Sequence, residues 1–230
     1  ATYGYDLFQP QVGWAEQNPE DWWQACLNGI KDVVKNSKVN ASDIKGIGLS
    51  GQMHGLVLVD KDCNVIRNSI IWCDQRTEKQ CEYMTEVLGT EKLIEITGNP
   101  ALTGFTLSKL LWVRDNEPEN YKNIYKVLLP KDYIRFKLTG VFATEVSDAS
   151  GMQMLDINSR NWSDELLQAL EIDKNILADV YESIVISGHV TEEVAKATGL
   201  EAGTAVVGGA GDQAAGAVGS GIVSEGIIST

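Results

Sequence analysis

Short apolar runs alternate with stretches of helical periodicity along all 230 residues of this chain, and that alternation restricts the fold more than any other feature. The runs IKGIGLSG (44–51), KVLLP (126–130) and TAVVGG (204–209) have the length and branched-aliphatic content of strands, and GLVLVDKDCNVIRNSIIW (55–72) reads as a pair of strands around a turn at Asp60–Asn64. Between them lie segments with helix start and stop signals. NPEDWWQACLNGIKDVVKN offers Asn18 as N-cap, Pro19 at the first helical position, acids in the first turn, and Trp22, Trp23, Cys26, Ile30, Val33 and Val34 along one face. Helical spacing returns over 77–88 and 107–116, where Pro118 supplies the stop. It appears again in DYIRFKLTG before Gly140, in SDELLQALEI behind Ser163, and in TEEVAKATGL up to Gly199. DQAAGAVGSG reads as a helix of small residues, and GIIST as a last strand. Strands and helices in alternation predict an α/β fold with a mixed sheet and flanking helices. No repeat or flexible linker divides the chain, so it is expected to form one domain. The turn-rich stretch from about Thr97 to Asn161 is expected as an insertion on the main sheet.

Composition narrows the function. Nineteen basic residues against 32 acidic ones give a net charge of −13, which repels nucleic-acid phosphates and anionic membrane surfaces. The four cysteines, Cys26, Cys63, Cys73 and Cys81, form no CxxC pair and have no zinc-ligand spacing, so they read as reduced thiols. No stretch is apolar enough to read as a bilayer span. The expectation is a soluble, cytoplasmic protein with neither nucleic-acid nor membrane partners.

The densest chemical signal is VVGGAGDQAAGAVGSG (206–221), a strand that turns through glycines into a helix around one carboxylate, Asp212. Gly209, Gly211 and Ala214 fit the dinucleotide pattern G-x-G-x-x-A, but the ribose-binding acid expected at the end of the next strand is missing; Glu225 precedes that strand instead. No glycine-lysine pair exists for a Walker loop. Tight strand-to-helix packing explains the glycines equally well. An acid at the C-terminal end of a strand, beside a helix N-terminus and flanked by residues that admit a ligand, is also where α/β folds build active sites, and there Asp212 could take a proton from a hydroxyl.

Three other stretches carry polar chemistry. SGQMHG (50–55) sets Ser50, Gln52 and His54 beside Met53 between glycines, which suits a polyol or a plain connection between strands with a surface histidine. IIWCDQRT (70–77) reads as a strand followed by a helix capped at Asp74, with its charges in solvent. In PKDY (130–133), Asp132 is expected to cap a helix and Lys131 to pair with it. Trp14, Trp22, Trp23, Trp112 and Trp162 are expected as core or half-buried packing.

Taken together, these segments resemble the FGGY family of carbohydrate kinases. WAEQNPEDWW, GIGLSGQMHGLVLVD, IIWCDQRT, ITGNPALTGFTLSKLLWVRDNEPE, KVLLPKDYIRFKLTG, SDASGMQMLD, WSDELL and VVGGAGDQAAGAVGSG match in order along nearly the whole chain, and GFTLSKLLWVRDN fits the family's first signature. The resemblance implies a ribonuclease H-like fold of the actin-like ATPase superfamily. It also implies a kinase that uses ATP and Mg, with a small-molecule sugar as its partner. By this resemblance Asp212 is the general base, and Met53, His54 and Gln213 join it in binding the sugar. Glycerol kinases carry an Arg-Glu pair where this chain has Met53-His54. The branch that phosphorylates D-xylulose carries Met-His-Gly, and some gluconate kinases share the Met-His. D-xylulose is therefore the expected substrate, with gluconate, ribulose or glycerol as alternatives. By the resemblance, the family's opening strand, its glycine-threonine phosphate loop and its Mg-holding aspartate are expected to belong before ATYGYD, and its adenosine site after Thr230. Residues 1–230 are thus expected to be the N-terminal, sugar-binding domain without its opening strands and phosphate loop and without the C-terminal nucleotide domain, inactive by itself or a non-catalytic sugar-binding fragment. No metal ligands are assigned, and a homodimer is left open.

Overall fold

The computed structural model describes residues 1–227 of the chain. Strands and helices alternate as the apolar pattern predicts. The central sheet runs in the order Ile186–His189, Ala205–Val207, Gly46–Ile47. Its first pair is antiparallel and its second parallel, so the sheet is mixed. The last two strands continue past a break into a second parallel pair, Ala210–Gly211 beside Ser50–Gly51, in the register Ala210↔Ser50 and Gly211↔Gly51.

Val57–Val59 and Ser69–Ile70 flank the turn expected at 60–64, where Asp60 Oδ1 accepts the N–H groups of Asp62 and Asn64 at 2.9 Å. The two segments touch through the isolated bridges Leu56↔Ile70 and Val59↔Val65, and the strands find their partners elsewhere: Val57–Val59 pairs with Lys126–Leu128, and Ser69–Ile70 with Glu16–Gln17. The stretch 97–161 is therefore no insertion. It gives a strand to the middle of the fold, and its helix Thr106–Asn116 is buried continuously from Thr106 to Val113.

Helix boundaries follow their local chemistry. The helix Pro19–Ser37 begins where Asn18 Oδ1 accepts the Glu20 N–H at 3.1 Å. Ser163 and Thr191 cap Asp164–Ala169 and Glu192–Thr198 in the same way, and Gly140 and Gly199 close their helices in left-handed conformations. Pro118 both ends one helix and opens the next, Pro118–Lys122. The helix Thr90–Thr97 and the strand Ala143–Glu145 with its short helix Val146–Ala149 carry no strong sequence signal. The expected strand over GIIST falls mainly on residues 228–230, outside the described residues.

Two apolar clusters hold these layers together. One gathers Leu56, Leu58, Met84, Leu107, Leu110 and Trp162; the other gathers Trp22, Trp23, Val57, Val59, Leu128 and Val206. Val57 and Leu58 enter opposite clusters, so the strand Val57–Val59 is the wall between them. Each fully buried aliphatic side chain contributes about 1.5–3 kcal/mol. The expected packing roles of the tryptophans hold: Trp22, Trp23, Trp112 and Trp162 are buried and Trp14 is half-buried.

Two expectations for charged residues are corrected. Asp74 caps no helix and is fully buried. It accepts the Ala15 N–H at 2.6 Å and takes the forked guanidinium of Arg76, which is itself stacked 3.7 Å over Trp14 and lies 2.8 Å from Glu16. Asp132 lies inside the helix Pro130–Thr139 rather than capping it. It pairs with Arg135 at 2.6 Å as well as with Lys131 at 3.2 Å, and all three are buried.

Candidate active site

The parallel pairing of Ala210–Gly211 with Ser50–Gly51 brings the two most chemically marked stretches together at one sheet end. After Val207 the chain turns at Gly209, whose φ of +72° is left-handed; a Cβ there would sit 2.2 Å from the Leu49 carbonyl oxygen. The short strand then delivers Asp212 to the first position of the helix Asp212–Gly219, where it is exposed and its Oδ1 accepts the Gln213 N–H at 2.9 Å. Gln213 is exposed beside it.

On the neighbouring strand the chain leaves Gly51 and turns through Gln52, Met53 and His54. Gln52 is tied back to Gln17 at 2.9 Å. Met53 lies over the backbone next to the acid, since a Cβ on Gly211 would meet its Cγ at 2.8 Å. His54 has a φ of +68°, rare for a residue with a side chain. Its ring packs at 4.2 Å on Phe105 and closely against Gly151, where an added Cβ would come within 2.7 Å of the imidazole. Met53 and His54 therefore both pack over Gly151, and Met53 also covers Gly211, the residue before Asp212.

The state of the histidine follows from its neighbours. Burial is the strongest influence and pushes the imidazole below its usual pKa; the Gly151 carbonyl and the Asp212 carboxylate act upward, and the Lys109 charge acts downward. His54 is thus neutral near pH 7. Its Nδ1 lies 2.9 Å from the Gly151 carbonyl oxygen, which can only accept, so Nδ1 carries the proton and Nε2 is left as an acceptor.

What fixes the unusual His54 backbone is a residue that sequence reading missed. Lys109 is wholly buried, and its Nζ donates to the His54 carbonyl at 2.8 Å and the Gly104 carbonyl at 2.6 Å; Thr106 Oγ1 adds a bond to His54 O at 3.1 Å. Burial lowers the Lys109 pKa to about 7. The available signal was a lysine inside a run buried on all sides, which no amphipathic pattern explains.

A sheet end that joins a carboxylate, a neutral imidazole acceptor and a thioether wall is suited to a small polyhydroxylated ligand with one hydroxyl to be deprotonated. The chain belongs to the FGGY family of carbohydrate kinases: residues 1–219 match the family's N-terminal domain. Among its relatives is the xylulose kinase of Bacillus subtilis, 47% identical over 222 residues, an alignment covering 96% of this chain and 44% of that protein. The crystal structure of xylulose kinase from Rhodospirillum rubrum superposes with a TM-score of 0.91 at 28% identity, over 96% of this chain and 46% of the other. Gluconate kinase from Lactobacillus acidophilus gives a TM-score of 0.85, also at 28% identity, over 91% and 42%. The chain thus spans less than half the length of these relatives.

Proposed function

We propose that this chain is the sugar-binding domain of a kinase that transfers the γ-phosphoryl group of ATP to the 5-hydroxyl of D-xylulose, built on the ribonuclease H-like fold of the actin-like ATPases. The observation that carries this reading is the parallel register that sets Asp212 beside Met53 and His54. The similarity to xylulose kinases supports the choice of sugar. The Asp212 carboxylate orients the 5-hydroxyl and accepts its proton as that oxygen bonds to the γ-phosphorus and the bond from phosphorus to the β–γ bridging oxygen breaks, releasing ADP. Such a transfer depends mainly on positioning and charge stabilisation, so a base needs only to hold the nucleophile and collect its proton late. His54 Nε2 accepts a second sugar hydroxyl, the Gln213 amide bonds a third, and Met53 covers the carbon chain. Among the described residues no three His, Cys, Asp or Glu side chains converge to hold a metal.

The test is turnover of the complete kinase against D-xylulose, D-ribulose, D-gluconate and glycerol, followed by ADP release. The highest kcat/KM is expected with D-xylulose. A preference for gluconate or glycerol would overturn the substrate assignment.

A further inference from the structure

Beneath the site lies a cluster of ionisable groups that no step above uses. Lys131 Nζ stands 3.2 Å from Asp132, 3.3 Å from Glu145 and 3.6 Å from Asp148, and Arg135 stands 2.6 Å from Asp132, with every one of these side chains at most 1% exposed. Burying ions costs several kcal/mol each before pairing, and an apolar core often serves stability as well or better. Such a cluster calls for an explanation other than stability, and its outward contacts supply one.

Those contacts converge on the four residues ahead of Asp212. The Gly208 carbonyl accepts from Lys131 Nζ at 3.3 Å and from Arg135 Nη2. The Gly211 N–H donates to Ser147 Oγ at 3.2 Å, and the Ser147 hydroxyl donates to Glu145 Oε1 at 2.9 Å. The other Glu145 oxygen accepts from the Ser147 N–H and from Ser183 Oγ, both at 2.9 Å, and the Ser183 carbonyl takes the Gly209 N–H at 2.9 Å. Gly208, Gly209 and Gly211 are thus each tied, directly or through one serine, to the same buried carboxylate and cations. Side chains of their own at 208 and 211 would collide with the Glu182 carbonyl and with Met53.

We infer that this cluster is a clamp that sets the position of Asp212, and that Ser147 is its positioning residue, passing the fixed location of Glu145 to the Gly211 N–H one residue before the acid. The inference rests on Asp212 being the base. Asp148 fits the clamp: burial pushes its carboxyl well above the usual aspartate range. Its carboxyl lies 3.6 Å from Lys131 Nζ, on the side of the clamp facing the same ammonium as Asp132 and Glu145. Ser147 touches neither sugar nor phosphate in this scheme. Its removal is expected to change where the base sits rather than whether sugar binds.

The experiment measures kcat and KM for D-xylulose in the complete kinase for Ser147→Ala, Ser147→Thr and Asp212→Asn. Loosening a reacting group by about 1 Å costs up to about 100-fold in rate, so S147A is expected to lose about 10- to 100-fold in kcat. KM should stay within about threefold, as befits a loss confined to the transition state. S147T keeps the hydroxyl and is expected to restore most of the rate. If S147A does not fold, Ser147→Cys, which keeps the bulk but accepts weakly, gives the same reading. An S147A enzyme with unchanged kcat, a loss confined to KM, or an S147T variant as impaired as S147A would overturn the clamp. D212N with undiminished turnover would overturn the base assignment itself; an inactive D212N beside an unimpaired S147A would overturn the clamp alone.

Discussion

Replacing Lys109 with methionine tests the electrostatics of the site floor. The lysine is fully buried, and burial brings its pKa from the usual 10.5 down to about 7. In the unfolded chain it titrates near its ordinary value, so between about pH 7 and about pH 10.4 the unfolded state holds more protons than the native one. Native stability must therefore rise with pH across that window, by up to about 1.4 kcal/mol per unit. The full interval gives an upper bound of about 5 kcal/mol. The short contacts to the His54 and Gly104 carbonyls favour the ammonium and work against this, so a rise of about 2 to 5 kcal/mol is expected. The K109M variant keeps the bulk and loses the titration. Urea unfolding of both proteins at pH 7, 8, 9 and 10 isolates the effect, because all other titrations cancel in the difference between the curves. Wild type should gain on the variant at each step upward. A difference flat from pH 7 to 10 would refute the assignment of a depressed pKa to Lys109.

Other consequences can be checked on the same protein. Arg76 is stacked on Trp14 and forked onto Asp74, a geometry an ammonium cannot copy. Arg76→Lys should lose about 2–4 kcal/mol in urea unfolding. Asp148 behaves oppositely to Lys109: its native pKa is raised, so wild-type stability falls as pH climbs through that value, whereas Asp148→Asn, permanently neutral, escapes the loss. Urea midpoints from pH 4 to 9 should show the variant gaining on wild type, and a pH-independent difference would contradict the raised pKa. Gly211→Ala places a methyl 2.8 Å from Met53 Cγ and should push Met53 off the site wall, raising KM for the ketose about tenfold with a smaller change in kcat.

Much of the fold was legible because its elements announce themselves locally. Asn18 with Pro19, Ser163, Thr191, Gly140 and Gly199 each fix a helix end through contacts within a few residues. Strand partnership was not legible. Val57–Val59 and Ser69–Ile70 flank a turn that reads as a hairpin, yet Lys126–Leu128 and Glu16–Gln17 take them, because pairing is settled by burial of both faces rather than by the turn between. The same holds for charge. Asp74 and Asp132 occupy positions that suit helix caps, and only the fold reveals that the arginines two and three residues further on have drawn them inside. The glycines and the acid of GGAGDQ and the Met-His of SGQMHG could be singled out as residues. Their meeting depends on the parallel register of two-residue strands, and their support by Lys109 and Ser147 depends on contacts across 55 and 64 residues of chain.

The central claim is that Asp212 receives a sugar hydroxyl across the wall made by Met53 and His54. A crystal structure of the complete kinase with D-xylulose bound tests it most directly. The account predicts the 5-hydroxyl within about 2.6–3.2 Å of an Asp212 carboxylate oxygen, with His54 Nε2 on another hydroxyl and Met53 against the carbon chain. A ketose bound away from Asp212, or bound with its 5-hydroxyl turned from that carboxylate, would contradict it.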